Sequence, residues 1–296
     1  MATNMNRRTF LKASAAFGVT SIALPSILKA YDRRDNISDD YEDMKCKKIL
    51  KSFDSSLKDK AINDVIIEVG KSFLAVPYVA GTLDTNPNKE RLIVYVSGLD
   101  CVTFCENALT MSRIIKQGDT SFENYKKELE KIRYRDGQIN GYPSRLHYFS
   151  DWIYDNDKKG IVRDITKEIG GVEYNKTIDF MTTHTDSYPA LKNNPDNVSQ
   201  MQAVENNINS RQNYYIPVKD LPSVYDSLQS GDIIGITSDV GGLDIAHTGI
   251  IYKENNIPYF LNASLKKKEV IISDGTIQDY IMGNKKQSGV MVCRPL

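Results

Sequence analysis

Cys101 is the residue of this chain best suited to nucleophilic chemistry. It follows Gly98, Leu99 and Asp100 at the start of a predicted helix, where unpaired backbone N–H groups and the helix dipole favour a thiolate. Asp100 is a typical helix N-cap and would fix the position of the cysteine. A buried, inert thiol is the alternative, and it is the better prediction for Cys105, one turn further along the same helix. For Cys101 the local sequence leaves both possibilities open.

A base for such a nucleophile is present in the C-terminal part of the chain. His247 lies at the start of a predicted strand, after a turn-rich stretch over 239–243, and Asn262 lies in the next predicted strand. If these strands form a hairpin, the Asn262 amide lies beside His247 and orients its imidazole. Cys101, His247 and Asn262 then resemble a nucleophile, a base and an orienting residue.

Composition narrows the possible functions. The 296 residues include 38 Lys+Arg and 38 Asp+Glu, and this neutral balance argues against binding of nucleic acid, which usually needs a basic face. The four cysteines and three histidines include no CxxC pair and no HxxH spacing, so a zinc amidase is disfavoured and we expect neither metal nor cofactor.

The first 30 residues have the pattern of an export signal. Arg7 and Arg8 precede a mostly apolar run over 13–24, which is typical of a twin-arginine signal peptide. The run is shorter than the roughly 20 residues that span a bilayer, so we expect no permanent membrane anchor. We therefore predict a signal peptide over 1–30 that is read by export machinery, a mobile polar linker over 31–48, and an exported, periplasmic protein.

Hydrophobic periodicity predicts the elements that must position these residues. Helices are predicted over 61–73, 100–116 and 122–133, and a strand-like run over 92–96. Short strands are predicted over 233–237, 248–252, 259–262, 270–272 and 290–293, and their close spacing favours antiparallel pairing. Residues 136–230 are mostly polar, apart from an amphipathic piece over 146–154. We interpret them as an insertion that shapes a cleft, within a single α+β domain over 49–296.

Several segments together resemble the NlpC/P60 cysteine peptidases. They are Gly231 and Asp232 leading a strand, 247–250, 260–264, Asp100 and Cys101 at a helix start, and an upstream Tyr–Gly element over 77–82. More specifically, the chain is similar to the DUF1460 group of amidases that act on bacterial muropeptides, through 99–106, 142–149, 151–153 and 180–184. The resemblance extends from about residue 72 to residue 296. One departure is Asn262, where a histidine is expected, although asparagine can also orient an imidazole.

The resemblance implies a papain-like core, a nucleophile helix packed on an antiparallel sheet, with a large insertion between the cysteine and the histidine. Cys101 would attack the carbonyl, His247 would transfer the proton, and Asn262 would hold the ring. Tyr78 and Asp100 would help to position or stabilise the oxyanion. The bond implied is the amide between N-acetylmuramic acid and L-alanine, and the implied partner is a peptidoglycan fragment.

Substrate recognition would then fall mainly to the insertion. Arg145 can pair with a carboxylate of the muropeptide stem. The remaining candidate substrate contacts are Tyr142, His147, Tyr148, Trp152, His184 and Thr248. Two alternatives stay open: a D-glutamyl-diamino acid endopeptidase acting on the stem peptide, and a non-catalytic cell-wall-binding protein in which Cys101 is dispensable.

Overall fold

The computed structural model describes residues 39–84 and 86–296. The predicted signal peptide over 1–30 and the first part of the predicted linker, 31–38, lie outside the described residues. Within the described ranges, no helix combines the length and the apolar character needed to cross a membrane.

The described residues form eight α-helices, of which the first four precede residue 134. They are α1 Asp39–Ser52, α2 Ile62–Ser72, α3 Cys101–Gln117, α4 Phe122–Arg133, α5 Phe149–Lys158, α6 Phe180–Thr183, α7 Pro195–Asn209 and α8 Ile277–Met282, with short 3-10 turns at Ser55–Asp59, Arg135–Gly137, Tyr142–Ser144, Thr185–Ser187 and Val218–Val224. The predicted helices over 61–73, 100–116 and 122–133 are confirmed as α2, α3 and α4. Helix α3 ends at Gly118, whose φ of 76° is a conformation that glycine adopts without steric cost.

The strands form one antiparallel sheet, so the predicted α+β class is confirmed. They are β1 Val162–Asp164, β2 Val172–Glu173, β3 Tyr214–Pro217, β4 Ile233–Ser238, β5 Ile245–Glu254, β6 Ile257–Ser264, β7 Glu269–Thr276 and β8 Gln287–Pro295. Their order is β2-β3-β8-β4-β5-β6-β7, and β1 also pairs with β8. The five C-terminal strands predicted from the sequence are all present, each extended beyond its predicted bounds.

The sheet separates two apolar layers, because successive side chains of a strand point to opposite faces. Ile250 and Leu261 face the layer that holds Phe104 and Leu109 of α3. Neighbouring residues of β5 and β6 face the other layer, which includes Ile277 and Ile281 of α8. Helix α3 is therefore fixed directly on β5 and β6, the strands that carry His247 and Asn262.

The prediction of a mobile linker over 31–48 is wrong for residues 39–48, which lie in α1. Cys46 and Leu50 are buried, and the Glu42 carboxylate accepts hydrogen bonds from the N–H groups of Val96 and Ser97 at 2.7 and 3.0 Å. The polar composition favoured a linker, because composition cannot show that a charged side chain such as Glu42 is hydrogen-bonded to backbone N–H groups far along the chain.

The prediction of a strand over 92–96 is also wrong, since these residues join no strand in the described part of the chain.

The polar region over 136–230 is tied into the sheet. It contributes β1, β2 and β3, of which β1 and β3 pair with β8, and a small apolar cluster of its own that includes Tyr148, Met181, Leu191 and Met201. Its most polar stretch contains helix α7. The region is therefore a folded layer on the same sheet.

Candidate active site

A cavity of about 520 Å³ lies at the start of α3. It is lined by Asp100 and Cys101 of α3, His247 of β5, and Tyr78. Residues of the region 136–230 also line it, among them Arg145, His147, Phe180, His184 and Tyr188. The fold thus brings the predicted nucleophile and base to one cavity, together with three of the predicted substrate contacts.

Cys101 is the first residue of α3, and its position is fixed from two directions. The Asp100 carboxylate accepts a hydrogen bond from the Thr103 N–H at 2.8 Å, and the Asp100 N–H donates to the Thr103 hydroxyl at 3.0 Å. From the sheet, the Thr248 hydroxyl donates to the Cys101 carbonyl at 2.7 Å and accepts from the Cys105 thiol at 3.6 Å. Asp100 therefore caps the helix as predicted. Thr248 does not line the cavity and connects β5 to α3, which corrects its prediction as a substrate contact.

The expected lowering of the Cys101 pKa is wrong. Burial raises the pKa of the thiol to about 12, and the nearby Asp100 carboxylate acts in the same direction. Burial also lowers the pKa of His247, against the opposing effect of its hydrogen bond to Asn262. Near neutral pH the site therefore holds a thiol and a neutral imidazole.

A bulge in the sheet places His247. Ile236 of β4 pairs with His247 while Thr237 pairs with Ile245, so Ala246 is an extra residue that turns the strand locally. Gly249 then allows the neighbouring strand to come close, because a Cβ at this position would lie 2.8 Å from the Asn262 Cβ. The Asn262 Oδ1 lies 3.0 Å from the His247 Nε2. The hairpin predicted from the sequence does bring these two side chains together.

The surroundings of Asn262 determine which imidazole nitrogen is basic. Its Nδ2 donates to the Phe260 carbonyl at 3.1 Å, and its Oδ1 accepts from the Tyr280 hydroxyl at 3.1 Å. A carbonyl can only accept, so the amide oxygen faces His247 and accepts a hydrogen bond from Nε2–H. The Nδ1 atom of His247 is thereby left with its lone pair and is the atom able to accept a proton.

Donors for a developing oxyanion are present beside Cys101. The first N–H groups of a helix have no partner within it, and within the described residues those of Cys101 and Val102 donate to no other residue. Tyr78 lines the cavity, and burial raises its pKa well above the ordinary value. Its phenol is therefore protonated and able to donate a hydrogen bond.

Arg145 belongs to a buried ion-pair network at the edge of the cavity. Its guanidinium lies 2.6 Å from the Asp84 carboxylate and 3.4 Å from that of Glu90. Burial raises the pKa of Glu90, although Arg145 acts to lower it. The predicted carboxylate-binding residue therefore already balances two carboxylates of the chain itself.

Two further histidines that line the cavity differ in their environment. The Nε2 of His147 donates to the Tyr142 carbonyl at 2.9 Å, and burial followed by the charge of Arg145 lowers the His147 pKa to about 3. His147 is therefore a neutral ring. His184 is exposed and stacks on Phe180 with the ring centroids 4.2 Å apart.

Besides Thr248, three predicted substrate contacts do not line the cavity. Trp152 is fully buried and stacks on Phe149 at 4.7 Å. The Tyr148 hydroxyl donates to Glu205 at 2.6 Å, and Tyr142 packs under His147 at 4.2 Å between the rings. Tyr142 and Tyr148 pack in the apolar cluster of the region 136–230, whereas Trp152 packs in the layer that holds α3.

Tyr280 is a site residue that the sequence did not reveal. It lies in α8, a helix of six residues that is too short to give a periodic signal.

Among residues 39–84 and 86–296, no group of three or more His, Cys, Asp or Glu side chains is arranged to hold a metal ion.

Comparison with known proteins identifies the class. Residues 68–290 match the AmiA-like family, described as N-acetylmuramoyl-L-alanine amidase-like. The match covers well over half of the chain, so the chain belongs to this family of cell-wall amidase-like hydrolases. No curated protein gives a significant match.

Solved structures agree with this membership. An N-acetylmuramoyl-L-alanine amidase from Bacteroides uniformis ATCC 8492 shares 34% identity with a TM-score of 0.75, over 79% of this chain and 98% of that chain. A putative xylanase from Bacteroides fragilis shares 35% identity with a TM-score of 0.73, over 77% and 99%. A DUF1460 protein from Legionella pneumophila, 20% identical with a TM-score of 0.63 over 86% and 94%, shares the fold. The amidase and DUF1460 resemblance is confirmed, and the NlpC/P60 placement stays a prediction.

Proposed function

We propose that this protein is an exported N-acetylmuramoyl-L-alanine amidase with a papain-like, NlpC/P60-type site. Cys101 is the nucleophile, His247 the base and Asn262 the orienting residue. The observation that carries the proposal is the 3.0 Å contact between Asn262 Oδ1 and His247 Nε2, beside a cavity that Cys101 also lines. Family membership supports the bond class and a location outside the cytoplasm, where cell wall is found.

The reaction begins with a neutral Cys101 thiol and a neutral His247 imidazole. The Nδ1 of His247 accepts the Cys101 proton as the sulfur bonds to the lactyl carbonyl carbon of the N-acetylmuramic acid residue. The oxyanion is stabilised by the N–H groups at the start of α3 and by the Tyr78 hydroxyl. His247 then returns the proton to the L-alanine nitrogen as the C–N bond breaks. Water, deprotonated by His247, attacks the thioester, which releases the lactyl carboxylate and the Cys101 thiol.

The cavity is suited to a ligand of the size of a muropeptide fragment. Its volume of about 520 Å³ falls in the usual range for small-molecule sites. The stacked rings of Phe180 and His184 offer an apolar surface for sugar or peptide. Arg145 and His147 also line the cavity.

Carboxylates lining the cavity suit a glycosidase poorly. Glycoside hydrolysis uses a pair of carboxyl groups, one as acid and one as nucleophile or base. Here Asp84 pairs with Arg145, and Glu106 pairs with Arg133 at 2.7 Å. Asp100 caps α3. The structural engagement of these groups supports amide hydrolysis over xylan hydrolysis.

Mass spectrometry of the products from defined muropeptides tests the proposal. We expect release of an intact peptide that begins with L-alanine. A fragment that begins at the diamino acid would instead show an endopeptidase, and release of sugars from xylan would show a glycosidase. Activity lost on chelation and restored by zinc would contradict the cysteine mechanism.

The cysteine is tested directly by substitution. We expect Cys101→Ala to abolish turnover while the circular dichroism spectrum and the affinity for muropeptide persist. Cys46→Ala is the matched control, because Cys46 is buried in α1 and does not line the cavity. Full activity of Cys101→Ala would remove Cys101 from the mechanism, and binding without turnover by the unmodified protein would identify a cell-wall-binding protein.

A further inference from the structure

Tyr280 contacts both members of the His247–Asn262 pair. Its ring lies nearly parallel to the His247 imidazole, with an interplanar angle of 16° and centroids 5.9 Å apart. Its hydroxyl donates to the Asn262 Oδ1 at 3.1 Å. One side chain thus touches the face of the imidazole and the amide that binds its Nε2.

The Asn262 amide oxygen accepts two hydrogen bonds, from His247 Nε2–H and from the Tyr280 hydroxyl. The Phe260 carbonyl holds the amide nitrogen on the other side. Rotation of the amide by 180° would place its oxygen against that carbonyl and exchange the acceptor for a donor at Tyr280 and His247. The Phe260 carbonyl therefore selects the amide orientation, and the Tyr280 hydroxyl adds a second hydrogen bond to the amide oxygen in that orientation. Burial raises the Tyr280 pKa to about 12, so the phenol keeps its proton.

Aromatic packing restricts the imidazole itself. Phe260 meets His247 edge-on, with centroids 5.8 Å apart and an angle of 71°, and meets Tyr280 at 4.9 Å. His247 thus has one ring along its face and another across its edge. These contacts limit rotation of the imidazole about its Cβ–Cγ bond.

The position of Tyr280 is fixed by the helix that carries it. Thr276 and Asp279 form a reciprocal capping box at the start of α8. Ile277 and Ile281 anchor the helix in the second apolar layer. Tyr280 is half-buried between this anchored face and His247. The packing of α8 does not depend on the Tyr280 hydroxyl, so the hydroxyl can be removed without unfolding the helix.

We propose that Tyr280 is a positioning residue that holds the His247–Asn262 pair with Nδ1 as the basic nitrogen. It does not line the cavity, and it acts through Asn262 and the imidazole. This inference rests on the proposed function for its effect on turnover. Its effect on the imidazole does not depend on that function.

Nitrogen-15 NMR of the imidazoles tests the inference without any substrate. The chain contains three histidines, so selective labelling gives three assignable ring systems, with His247→Gln identifying its own. We expect the unmodified protein to show His247 as a single Nε2–H tautomer. Tyr280→Phe keeps the ring and should add a minor tautomer, and Tyr280→Leu should give a mixture of both. An unchanged, single-tautomer His247 in Tyr280→Leu would overturn the inference.

Kinetics of the same variants give the second readout. We expect kcat to fall about threefold in Tyr280→Phe and about 10- to 100-fold in Tyr280→Leu, with KM little changed, because misorientation of a catalytic group lowers turnover more than binding. Tyr252→Phe is the matched control: Tyr252 also contacts an aromatic ring and donates a hydroxyl hydrogen bond, to Glu254, but it lies away from the cavity. Equal losses in Tyr252→Phe and Tyr280→Phe would contradict a specific role.

The two proposals fail in different ways. If His247→Ala keeps full activity, the proposed mechanism is wrong, while the tautomer of His247 in the Tyr280 variants still decides the positioning inference. If His247→Ala is inactive and Tyr280→Leu retains both full kcat and a single tautomer, the mechanism stands and the positioning inference is wrong.

Discussion

Two groups of residues that line the cavity are held in different ways. The catalytic wall, which we define as Cys101 and His247, stands on α3 and β5, and Asn262 of β6 contacts His247. The recognition wall, defined as Arg145 and His147, stands outside the regular helices and strands and is held by contacts with other parts of the chain, such as the 2.6 Å ion pair between Arg145 and Asp84. Regular elements fix the first wall locally, whereas tertiary contacts fix the second.

Removal of the base from the catalytic wall should have the largest effect. We expect His247→Ala to lower kcat about 10²- to 10⁴-fold with little change in KM, because general acid–base catalysis contributes on this scale. The equivalent change in the recognition wall, His147→Ala, should act mainly on KM. Steady-state kinetics of both variants test the division into two walls. If both lowered kcat to the same extent, the division would be wrong.

Removal of Arg145 should mainly affect the recognition wall and the fold. We expect Arg145→Met to reduce the free energy of unfolding by about 3 kcal/mol, because it removes the buried guanidinium that pairs with the Asp84 and Glu90 carboxylates. Urea denaturation measures this loss. Adding Glu90→Gln to Arg145→Met should restore part of the stability. An unchanged free energy of unfolding, with a rise in KM alone, would show that Arg145 serves the ligand only.

The pH dependence of kcat and of KM should again distinguish the catalytic wall from the recognition wall. Burial lowers the His247 pKa from its ordinary value of 6.5, so the base is neutral at pH 6.5 and above and is lost only as the pH falls through the lowered value. The Cys101 thiol, with a pKa of about 12, does not ionise at mildly alkaline pH, so we expect no loss of activity there. His147, with a pKa of about 3, stays neutral in mild acid, so protonation of His147 should not change KM there. An acid limb above 6.5 would instead indicate a thiolate–imidazolium pair.

The same contrast explains how much the sequence could predict. Helix α3, the hairpin of β5 and β6, and the neighbours Cys101, His247 and Asn262 follow from local patterns: a cap, an apolar period and two adjacent strands. Trp152 and Tyr148 were predicted to contact substrate, yet both are buried, because the partner of an aromatic ring is set by tertiary packing. The thiol pKa also depends on burial around Cys101, which no local motif reports. Tyr280 lies on a helix of only six residues, too short for recognition.

The smallest predicted effect concerns Thr248, which links the two elements of the catalytic wall. Its hydroxyl donates to the Cys101 carbonyl at 2.7 Å, and we expect Thr248→Val to reduce the free energy of unfolding by about 1 kcal/mol, the usual net value of one hydrogen bond. Because α3 and β5 remain packed through Phe104 and Ile250, kcat should fall only a few-fold. Thr248→Ser keeps the hydroxyl and should retain both values. A rise in KM with unchanged kcat would show that Thr248 contacts substrate, as the sequence alone suggested.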